Sequence, residues 1–234
     1  EPVMRRPSCR GLSLVELLVG TAIGLLVVAA ASTLVVRHVR DGRRLTLETR
    51  LMQDLRTAGD IVARDLRRAG YWAGAGSGVA GQDGSAGATN PYAAASPDAA
   101  ASDTVRFRYS RDAVENDRVD SDEQFGFRLR GGAIEMQLGD ANWQALTDAG
   151  TLLVTEFRVE TSVEATSLAA FCSGPCSAGD TMCPPRQLTQ RFSVGISARS
   201  ALDPAIQRSL RAEALGSNGS VAGQTFGKRL FGIA

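Results

Sequence analysis

Twenty consecutive residues without a charge, Leu17 to Val36, lie near the start of this chain. At about 1.5 Å of rise per residue, a helix of that length covers about 30 Å, the hydrocarbon thickness of a bilayer. A cleaved secretory signal has a shorter apolar core, roughly 7–15 residues, followed by a small-residue cleavage site. Here the apolar run passes directly into further helix-forming sequence. Arg5, Arg6 and Arg10 precede it, which predicts a cytoplasmic N-terminus and an exported remainder. Arg37, Arg40, Arg43 and Arg44 follow and reduce the asymmetry. The first twelve residues hold no folded domain to translocate, so the same orientation is expected.

One acid, Glu16, stands at the head of this segment. A charged side chain in hydrocarbon costs roughly 2.5–3.5 kcal/mol on insertion scales, which makes it a candidate functional residue. Gly20 and Gly24 form a G-x-x-x-G, a spacing that permits close helix approach in membranes.

The string Gly11-Leu12-Ser13-Leu14-Val15-Glu16 resembles the processing site of type IV prepilins and type II secretion pseudopilins. The resemblance implies that a membrane peptidase, prepilin peptidase, cuts between Gly11 and Leu12 and methylates the new amine of Leu12. Residues 1–11 are then a leader. Glu16 matches the family's acid five positions into the mature chain. In a filament it would meet the terminal amine of a neighbouring subunit; a pair within one chain is the alternative, since Leu12 and Glu16 lie one turn apart. Family members commonly carry Phe where Leu12 stands. The sequence opens with Glu1 rather than Met, consistent with a longer leader.

From Arg37 to Ala69 the chain keeps helical period, with Leu51, Leu55, Ala58, Val62, Leu66 and Ala69 at steps of three and four. No proline interrupts Leu12 to Ala69. One long helix over 12–70 is expected, with 12–36 transmembrane and 37–70 amphipathic. Gly42 and Gly59 are weak points, at about 1 kcal/mol each against Ala, and Gly70 reads as the glycine cap. Ala63-Arg64-Asp65-Leu66-Arg67-Arg68-Ala69-Gly70-Tyr71-Trp72 resembles the helix end of minor pilins of the PilW family.

Residues 71–102 are rich in Gly and Ala and read as a long, loosely ordered loop. They contain a literal G-x-G-x-x-G at 76–81, but without a preceding strand or following helix it is no dinucleotide site. From Asp103 the period changes to two. Val105, Phe107 and Tyr109 alternate with arginines, and Phe125, Phe127 and Leu129 alternate with Gly126 and Arg128. Gly131-Gly132 then offers a tight hairpin turn. Further strands are expected at 143–146, 152–163 and 188–200, while 207–215 fits strand or helix. The expected fold is α+β and pilin-like: a long membrane-spanning N-terminal helix packed on an antiparallel sheet domain over 103–234.

Composition narrows the chemistry. A net charge of +1 gives no basic excess for nucleic acid. The single histidine, His38, lies beside the membrane segment, so a Ser-His-Asp triad or a histidine metal cluster in the exported domain is excluded. No cofactor, metal or catalytic residue is expected. Asp112, Glu115, Asp117, Asp120, Asp122 and Glu123 lack the glycine of an EF-hand and read as a solvated loop.

Cys9 falls in the leader; Cys172, Cys176 and Cys183 cluster within twelve residues. In an oxidising periplasm one disulfide among these three is expected, with Cys172–Cys183 and Cys176–Cys183 favoured. The resemblance implies a minor pilin of the type IV pilus, with roles downstream in adhesion, twitching motility or DNA uptake. Its partners would be prepilin peptidase, other major and minor pilins, the inner-membrane assembly platform and inner-membrane lipid. The protein would cross the bacterial inner membrane once, with its C-terminal domain in the periplasm, and enter a surface pilus. The alternatives are a type II secretion pseudopilin and, in a different class, a membrane-tethered periplasmic enzyme or binding module.

Overall fold

The structure, a computed structural model, describes residues 13–78, 88–97, 101–171, 184, 186–216 and 220–222. The chain divides into two compact units, Glu1–Leu47 and Glu48–Ala234. One helix, α1 (Leu14–Leu66), runs through the boundary.

In the first unit the helix carries its large apolar side chains exposed, from Leu14 through Val39. It is the helix of the described chain that is long and apolar enough to cross a membrane.

The second unit holds two antiparallel sheets. The first is a meander, β1 (Thr104–Arg108), β2 (Gln124–Arg130), β3 (Ala133–Leu138) and β4 (Trp143–Ala145), in that spatial order. Gly131 and Gly132, both at positive φ, make the β2–β3 turn as expected; that left-handed region is costly for residues with a Cβ. The second sheet runs β5 (Leu152–Ser167), β6 (Arg186–Ser200), β7 (Gln207–Leu215), with β8 (Ser220–Ala222) also on β6.

Period-two alternation sorts the side chains. Phe107 lies in a cluster with Phe125 and Phe127, ring centroids 6.0 and 6.2 Å away, and Tyr109 stacks on Phe125 at 4.0 Å. Phe157, Val159, Phe192, Val194, Ile196 and Ala198 fill the inner face of the second sheet. The C-terminal part of α1 buries the predicted stripe, Leu51, Leu55, Ala58, Val62 and Leu66. Gly59 sits in that stripe because a Cβ there would run into Leu210 of β7, with Ile196 of β6 close by. Arg208 of β7 donates to Glu48 at 2.8 Å from the edge of the same packing.

Several expectations need correcting. The helix ends at Leu66, not Gly70. Its last turn tightens to three-residue hydrogen bonds, Arg68 N–H to Asp65 and Ala69 N–H to Leu66. Gly70, at φ +78°, instead donates to the Arg108 carbonyl and turns the chain towards β1. Residues 88–97 are not loosely held. Ser96 exchanges two 2.8 Å backbone bonds with Arg106, and Tyr92 is fully buried. The segment 207–215, left open between strand and helix by its sequence, is a strand, paired over nine positions with β6. The strand begun at Leu152 continues to Ser167, past the expected end at 163.

Candidate assembly site

Glu16 occupies the first turn of α1, where the helix dipole favours an anion. Leu17 N–H donates to the Ser13 carbonyl at 3.1 Å, which closes that turn. The hydroxyls further along are satisfied within the helix: Thr21 donates to Leu18, Ser32 to Val28 and Thr33 to Ala30, at 2.7–2.9 Å. Back-bonding of this kind removes the need for water and suits a lipid-facing segment. Glu16 has no such outlet. Among the described residues it makes neither a side-chain hydrogen bond nor an ion pair. At Gly20 and Gly24 an added Cβ would meet nothing within 4 Å, so both leave a smooth patch one turn apart.

The other residues singled out from the sequence are not all in view. Gly11 and Leu12 lie outside the described residues, as do Cys172, Cys176 and Cys183. His38 lies within α1. Among the described residues no group of three His, Cys, Asp or Glu side chains converges to hold a metal ion.

The acidic stretch 112–123 is more than a solvated loop. Glu123 is fully buried, and its two oxygens take N–H bonds from Arg111 at 2.7 Å and Asp120 at 2.9 Å. Tyr92 reaches the same carboxylate from a segment thirty-one residues earlier. Its hydroxyl lies 3.0 Å from Glu123 Oε2, 3.0 Å from Glu115 Oε1 and 2.7 Å from the Arg118 carbonyl. One phenolic proton thus serves three competing acceptors. Burial, then the hydrogen bonds to Glu115 and Glu123, push the Tyr92 pKa well up. At Glu115 burial opposes the charge, but neighbouring donors, among them Asp117 N–H at 2.9 Å and the Tyr92 hydroxyl at 3.0 Å, outweigh it and hold the carboxyl below its ordinary value. Trp72 completes the cluster's edge, its indole N–H donating to Asp117 at 2.8 Å. The arrangement clasps Trp72 and Tyr92 to the loop before β2. A signal was present in the sequence, since Asp120-Ser121-Asp122-Glu123 has the acid-x-x-Glu spacing of a capping box.

A lipid-length helix with one acid in its first turn, leading into an antiparallel α+β unit, defines the membrane-anchored, pilin-like class, and the prokaryotic N-terminal methylation motif matches residues 6–32. The chain belongs to the family of prepilin peptidase-dependent protein B, whose sequence profile matches residues 44–215. No curated protein and no solved structure matches it.

Proposed function

We propose that this protein is a minor-pilin subunit of a type IV pilus, cut between Gly11 and Leu12, methylated on Leu12, and built into the filament through α1. The observation that carries the reading is Glu16, an acid in the first turn of a membrane-length helix that has no partner among the described residues. An isolated carboxylate in hydrocarbon is unfavourable, and the terminal ammonium of Leu12 on an adjacent copy would neutralise it at the same depth. Such a pair sets axial register as well as charge. Prepilin peptidase, other pilins and the inner-membrane platform are then its partners. The second unit faces the periplasm before assembly and the filament surface after it. The work is polymerisation, with no catalysis.

Glu16→Ala tests this. Cleavage and methylation should remain, read by mass, while recovery of the protein in sheared filaments falls at least about tenfold, the scale of one lost buried charge pair. Normal incorporation of the Ala variant would refute the pairing.

A further inference from the structure

On the outer face of the first sheet lies a hollow of about 480 Å³. Its floor is one row crossing all four strands: Arg106, Gly126, Gln137 and Trp143. Gly126 makes the dip. A Cβ there would lie 2.6 Å from the Val105 carbonyl and 3.2 Å from Gln137 Oε1. Ala94, Ala95 and Ser96 form one wall, held against β1 by the Ser96–Arg106 bonds. Asp140 and Ala141, in the β3–β4 turn, form the other.

Three features give this hollow a chemical preference. Gln137 is only 5% exposed, and its Oε1 is buried without a hydrogen-bond partner. An orphan buried acceptor is rare in a finished core and here borders the hollow. Arg106 and Arg108 project on the same side, two residues apart, and among the described residues neither pairs with a carboxylate. Trp143 borders Arg106. Arg106 lies 6.0 Å from its ring centre, while Arg128, locked by two 2.7 Å bonds to Glu135, lies at 4.0 Å.

Guanidinium forks suit a planar carboxylate. The Gln137 carbonyl and the Asp140 carboxylate accept hydrogen bonds, so the rest of the ligand must donate them, as hydroxyls do. A bare anion would leave most of the volume empty, whereas the size fits a small organic molecule. We propose that this hollow binds a hydroxylated carboxylic acid of the sugar-acid class, its carboxylate on Arg106 and Arg108 and a hydroxyl donating to Gln137. The site stands apart from α1 and does not depend on the filament reading. The sugar acid comes either free or as a residue of an acidic polysaccharide.

The full chain, purified in detergent micelles, is titrated calorimetrically with glucuronate, a tetragalacturonate, glucose and inorganic phosphate. Binding of one or both acids, at least about tenfold tighter than glucose or phosphate, is expected from charge-assisted bonds. Tetragalacturonate binding without glucuronate binding assigns a polymer; comparable binding assigns the single sugar. R106Q/R108Q should weaken binding about tenfold or more with an unchanged melting temperature, and Q137L should weaken it without removing the preference for acid over glucose. Absence of binding by both acids, phosphate or glucose binding as tightly as the acids, or unchanged affinity in R106Q/R108Q overturns the proposal.

Discussion

Tyr92 shows how much a single side chain can organise. Its hydroxyl joins Glu115, Glu123 and the Arg118 carbonyl, none of them within twenty residues in sequence. Tyr92→Phe removes the shared donor without opening a cavity, so urea unfolding should show a loss of about 1.5–3 kcal/mol, the range for bonds to charged groups. The pH dependence follows from two shifts of opposite sense. Glu115 is held below its ordinary value, so its stabilisation is present above the unfolded value, 4.5, and is lost as pH falls through the lowered one. Tyr92 is raised, so its contribution is complete below the unfolded value, 10.0, and fades as pH climbs beyond it. Melting temperature against pH should therefore fall at both ends, and Tyr92→Phe should flatten the alkaline decline in particular. A decline above pH 10 unchanged by that substitution would contradict the assignment. None of this was visible from composition, which marks 112–123 only as acidic; the partner that buries Glu123 arrives from a Gly/Ala-rich segment with no periodic signal.

At the scale of elements, helical and strand periods carried most of the fold. The stripe Leu51, Leu55, Ala58, Val62 and Leu66 is legible from spacing alone, and it is the face that packs. Strands with aromatic alternation, β1 and β2, were equally legible. β7 was not, because its alternating Leu210, Ala212 and Ala214 are also good helix formers; nine paired positions on β6 decide the matter. The hollow on the first sheet was beyond reach for a related reason. Its floor takes one residue from each of four strands, and only the register brings them into line. The helix contact itself separates apolar from ionic contributions. Leu55 is fully buried, so Leu55→Ala should cost about 2–5 kcal/mol in chemical denaturation. The Arg208–Glu48 pair is partly exposed, and Arg208→Ala should cost less than about 1 kcal/mol. A reversed order would mean that charge, not packing, holds α1 to the second sheet.

Across the molecule two solvents shape one helix. From Leu17 to Val36 it is apolar on every side and satisfies its hydroxyls internally, as lipid requires. Its C-terminal turns keep one apolar stripe for a protein core. Glu16 is the exception to the first pattern, and the proposed cut after Gly11 gives the exception a context, since it would create a new amine a few residues upstream. The most direct test is the intact mass of the protein recovered from native membranes. The account predicts a chain that begins at Leu12 and is one methyl group heavier than its residues alone. Recovery with Gly11 and the arginine-bearing leader still attached would contradict it.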